Sequence, residues 1–328
     1  MNESSLHFQV KASGRLDKFL QEQFSADPKL KNITRSQLKS WIEAGSVSVN
    51  EKVETKAGFL VKTGYAVSVT QPEAPTGFEH YDLKVPILFE DETLLVIDKP
   101  AGLSMHPGAG NKNKTLVNAI SAHLSAWKHQ SGRNIRPGVV HRLDKDTTGV
   151  VVVAKNPAAH AHLSEQFSKH TVARAYMTLA FCTPRDRRIL NSTASGKIDT
   201  FLGRDPKSRL KISVQKSGGK HAVTNWKLVE ATPYGRLLEV RLETGRTHQI
   251  RVHMNSIGSP VIGDKTYGDF SGLPSPLKNA ADKFGRQALH AFLLEFEHPE
   301  TGVRLKFESK IPKDFLDLIS VFRQFRTG

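Results

Sequence analysis

The chain has 328 residues and carries 47 Lys and Arg against 32 Asp and Glu, a formal net charge of +15. Hydrophobic residues make up 38% and charged residues 24%, a globular mixture that excludes wholesale disorder and suits roughly two or three domains. A lone cysteine, Cys182, excludes an internal disulfide and any cysteine-built zinc or iron–sulfur centre, and no apolar run approaches the roughly 18–20 residues of a membrane helix.

In chain order, Leu16, Phe19, Leu20 and Phe24 recur at helical spacing within residues 14–25. A second helix is expected to open at Thr34, where Thr34 and Gln37 form a capping box, and to end at Gly45. Its apolar stripe is Leu38, Trp41 and Ile42; the opposite face carries Arg35, Ser36 and Lys39. On spacing alone that face is either a solvated surface or a basic grip. Segments 47–49 and 65–69 alternate as strands, with a polar turn at Asn50, Glu51 and Lys52, giving a small α/β unit over residues 1–70. Residues 71–84 mix proline, glycine and polar groups and read as a linker.

From residue 85 to 328 the chain is β-rich. Leu94-Leu95-Val96-Ile97 and Val150-Val151-Val152-Val153 are short apolar runs suited to buried strands, residues 157–168 read as a helix, and 175–181 and 237–243 as further strands. A helix is expected from a cap at Thr247 to about Gly258, and Phe315, Leu318, Ile319 and Phe322 mark a closing helix. Residues 269–285, rich in Ser, Gly, Pro and Lys, read as a surface loop insertion. Irregular alternation of strands and helices predicts an α+β domain with a mixed or antiparallel sheet.

Two clusters concentrate ionisable groups. His141-Arg142-Leu143-Asp144-Lys145-Asp146-Thr147-Thr148-Gly149 is a polar loop running straight into the valine strand, where a side chain can be aimed by a rigid scaffold; it is also compatible with an ordinary turn. In Gly245-Arg246-Thr247-His248-Gln249-Ile250-Arg251-Val252-His253, His248 and Arg251 are three apart on one helical face. An inward Arg251 would need a carboxylate or a phosphate; otherwise it reaches solvent.

Taken together, these clusters resemble the signature of the RluA-type pseudouridine synthases. Arg174-Ala175-Tyr176, Asp98-Lys99-Pro100-Ala101-Gly102-Leu103 and Gly263-Asp264 with Tyr267-Gly268 fit in the same order, over about residues 85–312. The order Arg15–Leu20, Thr34–Leu38, Ile42–Asn50 is similar to the S4 RNA-binding domain. An S4 module in front points to the branch acting on large-subunit ribosomal RNA, and Lys145-Asp146-Thr147-Thr148 resembles its D subtype.

The resemblance implies a catalytic domain of the pseudouridine synthase fold, with Asp144 as the catalytic aspartate, Tyr176 packing on the target base and Arg251 pairing with the aspartate. It implies Arg142 entering the RNA stack beside an everted nucleotide and Arg35, Ser36 and Lys39 gripping phosphates. His141, Thr148 and His248 are expected to support the pocket. Pseudouridine formation breaks N1–C1′, turns the base and joins C5 to C1′; it is redox-neutral and adds no atoms, so it calls for no cofactor or metal. An aspartate beside an arginine is anionic at neutral pH, fit either to attack C1′ or to remove the 2′ proton. The expected partner is RNA, with Arg204–Lys220 as a further basic ribbon, either a solvated hairpin or an RNA contact. No membrane association, a monomer and a cytoplasmic setting are expected. The competing reading is a non-catalytic RNA-binding assembly factor; a nucleoside hydrolase fits the basic surface poorly, and a zinc deaminase lacks its cysteines.

Overall fold

The computed structural model describes residues 5–27, 30, 33, 35–70, 81–108, 111, 113–131, 138–182, 194–208 and 211–325. The chain divides into two compact units, Met1–Gly77 and Phe78–Gly328. The first contains β1 (Ser5–Gln9), β2 (Gly14–Arg15), α1 (Leu16–Ala26), α2 (Arg35–Glu43), β3 (Val47–Val49), β4 (Lys52–Val53), β5 (Leu60–Val61) and β6 (Ala66–Thr70). A four-stranded sheet runs β1-β6-β3-β4, and β2 pairs with β5. Leu16, Leu20 and Phe24 of α1 and Leu38 and Ile42 of α2 are buried against Val47, Val67 and Val69 of the sheet. The β3–β4 turn places Asn50 and Glu51 at φ 48° and 66°, and the Asn50 side chain stabilises it by accepting the Ala66 N–H at 2.9 Å. Thr34 and the side chain of Gln37, the expected capping pair, lie outside the described residues.

The second unit runs β7 (Ile87–Glu90), β8 (Leu94–Lys99), α3 (Leu116–Ser131), β9 (Gly138–Val139), β10 (Thr148–Ala154), α4 (Pro157–Ser168), β11 (Ala173–Phe181), β12 (Ser195–Arg204), β13 (Ile212–Gln215), β14 (Lys220–Ala231), β15 (Gly235–Leu242), α5 (Gln249–Ser256), α6 (Ser275–Phe284), β16 (Leu289–Glu297), β17 (Arg304–Glu308) and α7 (Lys313–Gln324). Its sheet has the order β13-β12-β14-β15-β11-β16-β10-β8-β7, with β9 beside β10 and β17 beside β16. The pairings are antiparallel except for β10 with β16. The unit is thus α+β, with a mixed sheet.

Every residue of β10 is buried, because both faces of this strand are covered. Val151 and Val153 pack with Ile97, Leu116 and Ile120 on one side; Val150 and Val152 pack with Ala159 and Leu163 of α4 on the other. Each such valine contributes roughly 2 kcal/mol. The parallel join to β16 is short, pairing Thr148 with His290 and Gly149 with Ala291. Gly149 has φ 119°, and a Cβ there would lie 2.1 Å from the Ala291 carbonyl oxygen, so only glycine permits the join. Between β11 and β16 the register moves from Ala175–Leu293 to Met177–His290, so Ala291 and Phe292 oppose Tyr176; this bulge bends the sheet beneath the residue.

Two sequence expectations change here. Residues 269–285 are not a loop insertion: they contain α6, whose Leu277 and Ala281 are buried in the core with Leu273. The Pro and Gly that suggested a loop punctuate the helix instead. Pro274 is its N-cap, Pro276 occupies the first turn where no N–H is required, and Gly285 ends it at φ 74°. Tyr81 and Leu83, assigned to a linker reaching residue 84, pack against the core of the second unit.

Candidate active site

The loop between β9 and β10 is tied down through its main chain. The Lys99 ammonium, fully buried at the end of β8, donates at 2.9 Å to the carbonyls of Pro100, Leu103 and Lys145. Arg286 donates to the Asp146 carbonyl at 3.3 Å while its fork holds Asp314 at 2.9 and 3.1 Å. Gln287 reaches the Thr147 hydroxyl at 3.2 Å, and the Thr147 N–H closes a turn on the Asp144 carbonyl at 3.1 Å. Leu143 is buried, and between it and the turn the Asp144 carboxyl is presented to a cleft. That cleft, about 540 Å³, is also lined by His141, Arg142, Tyr176, His248 and Arg251.

Arg251 connects two carboxylates. Its Nη1 donates to Asp144 Oδ2 at 3.0 Å, while Nε and Nη2 bind Asp264 Oδ2 and Oδ1 at 2.7 and 2.8 Å. Burial works against the guanidinium charge, but the bonds to Asp264 and then Asp144 outweigh it and raise its pKa. Asp264 is 1% exposed and also accepts the Thr266 N–H at 2.9 Å, so its carboxylate is fixed before it meets Arg251. The Tyr267 ring lies 5.1 Å from the guanidinium carbon.

The helix bearing Arg251 does not begin with a Thr247 cap. α5 opens at Gln249, and His248 is the N-cap residue at φ 56°, without a side-chain cap. The Gln249 side chain instead ties down the segment before the helix, its Oε1 accepting the Arg246 N–H at 2.9 Å. His248 faces the cleft. The Tyr267 hydroxyl accepts the Ile212 N–H at 2.9 Å and donates to His248 Nδ1 at 2.7 Å, which leaves Nε2 facing Asp144 Oδ1 at 3.9 Å. Burial first, opposed by Asp144 and reinforced by Arg251, lowers the His248 pKa.

His141 points back into the scaffold. Its Nε2 accepts the Val152 N–H at 3.0 Å, and its ring stacks on Phe167 at 4.7 Å. Burial and the nearby Arg174 charge push its pKa down to about 3, so it is neutral. Thr148 does not line the cleft: it is buried and donates to His290 Nδ1 at 2.9 Å, and His290 in turn donates to the Ser309 carbonyl at 3.2 Å. Tyr176 is buried on β11; burial raises its phenol pKa, opposed by Arg174 and assisted by Asp144. Leu242, Ile250 and Leu289 add apolar wall, while Arg142 is exposed at the cleft.

In the first unit, the candidate grip residues are partly engaged. Arg35 pairs with the buried Asp17 at 2.7 Å, and Arg15 holds the same carboxylate at 3.0 Å. The bond from Arg15, and then that from Arg35, overcome burial and hold Asp17 down at about 2. Lys39 lies 3.6 Å from Glu43, and the side chain of Ser36 lies outside the described residues. In the basic ribbon, Arg204, Lys207, Lys211, Lys216 and Lys220 are exposed, and Arg209 lies outside the described residues.

Asp264 and Tyr267 were not assigned roles from sequence, although the need of an inward Arg251 for a second carboxylate was a usable signal. Arg174 was likewise unassigned; two residues from Tyr176 on a strand, it shares that residue's face.

Residues 93–256 match the family described as RNA pseudouridylate synthase, and residues 14–67 match the S4 domain. The chain is 41% identical over 316 residues to "Ribosomal large subunit pseudouridine synthase D" of Neisseria meningitidis serogroup B, covering 95% of this chain and 79% of that protein. It is 41% identical over 297 residues to the protein of the same name from Pseudomonas aeruginosa, covering 89% of each. Among solved structures, "Human RNA Pseudouridylate Synthase Domain Containing 4" shares the fold, with a TM-score of 0.56 at 24% identity, over 73% of this chain and 93% of that one.

Proposed function

The chain belongs to the RNA pseudouridylate synthase family, and we propose that it isomerises uridines of large-subunit ribosomal RNA with Asp144 as the reacting carboxylate. One observation carries the reading: a carboxylate from a loop and a guanidinium from a helix, 107 positions apart in sequence, meet at 3.0 Å in a cleft of about 540 Å³. That volume is in the range that admits a single nucleoside.

Arg251 fixes the direction of the Asp144 carboxylate, and Asp264 fixes Arg251. From that position the carboxylate either attacks C1′ or takes the 2′ proton; both routes break N1–C1′ and form C5–C1′, after which C5 gives up its proton and N1 gains one, with no change in oxidation state. Tyr176 and the leucine side chains at 242 and 289 supply an apolar surface on which a detached uracil can turn without leaving. With Tyr267 donating to Nδ1, His248 Nε2 carries the ring N–H, and 3.9 Å from Asp144 it is placed to hydrogen-bond the substrate. The target must be extruded from the RNA stack at a cost of a few kcal/mol. Arg142, exposed at the cleft, is the side chain available to fill the space left behind.

The ribosomal substrate is carried over from the named relatives. RNA binding by the first unit follows its S4 match: Arg35 shares Asp17 with Arg15, so this group of three retains one net positive charge for phosphate, with Lys39 and Ser36 on the same helix. A monomer working in the cytoplasm accords with this role. Pseudouridine mapping across total RNA, from cells with and without the protein, tests the proposal. Sites in large-subunit ribosomal RNA should vanish without it and return with the native chain but not with Asp144→Ala. Unchanged ribosomal pseudouridine, or full restoration by Asp144→Ala, would overturn it and favour a non-catalytic assembly factor.

A further inference from the structure

We propose that Arg174 is a phosphate-binding residue of the cleft, its fork taking the RNA backbone phosphate beside the everted nucleotide. The proposal rests on the reading of the cleft as an RNA-modifying site and names how that site holds its strand.

Arg174 is only 8% exposed, yet no carboxylate lies within ion-pair distance among the described residues. Its Nη2 makes one long bond, 3.4 Å, to the Glu243 carbonyl, its Nε has no partner, and its guanidinium carbon lies 5.5 Å from the Phe167 ring centre. The two other buried arginines near the loop are fully engaged: Arg251 with Asp144 and Asp264, Arg286 with Asp314. Glu243, whose carbonyl Arg174 touches, cannot serve, because its carboxylate is taken by Asn225 at 2.9 Å and Lys197 at 3.3 Å. Burying a guanidinium without an anion is expensive, so a free cation here marks a place where an anion arrives.

Its position indicates which anion. Arg174 lines the Asp144 cleft and also a second cavity of about 540 Å³ reaching His170, His221 and Arg241, so it stands where the two spaces adjoin. A ribose held at Asp144 brings its own flanking phosphates to that boundary. Burial, opposed by Tyr176 and reinforced by the nearby positive charge of Arg246, lowers the Arg174 pKa; an incoming phosphate relieves both the burial and the repulsion. The backbone makes room for the fork: a Cβ on Gly245 would lie 2.5 Å from Arg174 Nη1, so glycine at this position leaves the guanidinium in place.

The test is equilibrium binding to a transcribed domain of large-subunit ribosomal RNA over a range of salt, for the native chain, Arg174→Met, Arg174→Lys and Gly245→Ala. Binding needs no turnover, so the result stands apart from whether pseudouridine forms. Loss of one phosphate contact should make the slope of log Kd against log salt shallower by about 0.7–0.9 in Arg174→Met, with affinity about tenfold weaker at low salt. Arg174→Lys should keep the slope and lose a few-fold in affinity, since it retains charge without the fork. Gly245→Ala should lose slope like Arg174→Met while keeping a native melting temperature, which carries the test if Arg174→Met fails to fold. A native slope in both Gly245→Ala and any folded Arg174→Met, whatever their affinity, would overturn the proposal.

Discussion

Asp264→Asn keeps the shape of a buried side chain and removes its charge. Two bonds are at stake, 2.7 and 2.8 Å from Arg251, on a side chain 1% exposed. The amide oxygen can keep one of them, together with the Thr266 N–H, but the amide nitrogen then faces an Arg251 N–H, donor against donor. A charge-assisted bond is worth about 1.5–3 kcal/mol, and breaking a buried pair by removing one partner costs about 3–5 kcal/mol. Because Arg251 retains Asp144, the loss should fall near the lower end, about 3 kcal/mol. For a unit of this size that lowers the melting temperature by about 6–12 °C. Arg251 is also the group that aims Asp144, and a misplacement of about 1 Å costs about 10²-fold in rate. Single-turnover pseudouridine formation should therefore slow by about 10²-fold, with RNA affinity within about twofold of native. A rate within twofold of native, in a variant that melts lower, would refute the argument that Asp264 acts on the reaction through Arg251.

Three further outcomes are expected. Tyr267→Phe removes the hydroxyl bridging Ile212 and His248 while keeping the ring on Arg251, and should reduce the rate about tenfold with little change in melting temperature, read in the same assay. Gly149→Ala places a Cβ 2.1 Å from the Ala291 oxygen at a positive φ and should cost at least about 3 kcal/mol in urea unfolding, or prevent folding. His141 titrates at about 3 when folded and about 6.5 when unfolded, so its contribution is full above pH 6.5 and is lost as pH falls towards 3. Urea unfolding of native protein and His141→Asn between pH 6 and 4 should show native stability falling with acid by up to about 1.4 kcal/mol per unit more than the variant's; parallel curves would contradict this.

What could be read from sequence was what local chemistry dictates. The valine strand and the loop before it were visible because a run of four valines has few other uses, and α7 showed its apolar spacing directly. α6 was hidden because its caps are the same Pro and Gly residues that signal loops, and its two buried positions, Leu277 and Ala281, are a weak stripe. The start of α5 was misplaced for a related reason: the helix opens without a side-chain cap, and a histidine in a left-handed conformation at its N-cap announces itself by no pattern. Within the site, His141 and Arg251 were legible as polar groups in an odd setting. Their partners were not, since Asp264, Tyr267 and Arg174 acquire meaning only when α5, β11 and the loop at 141–147 are brought together. Arg35 shows the same limit: an exposed basic residue on a helix face, it is tied to Asp17 from 18 positions away.

The central claim is that the carboxylate at 144 does the chemistry. Asp144→Asn preserves shape and a bond to Arg251 but cannot attack C1′ or accept the 2′ proton. In single-turnover reactions on transcribed large-subunit ribosomal RNA, with binding measured in parallel, the rate should fall by at least about 10³-fold while Kd stays within about threefold of native. Pseudouridine formed by this variant at a rate within tenfold of the native protein would contradict the account.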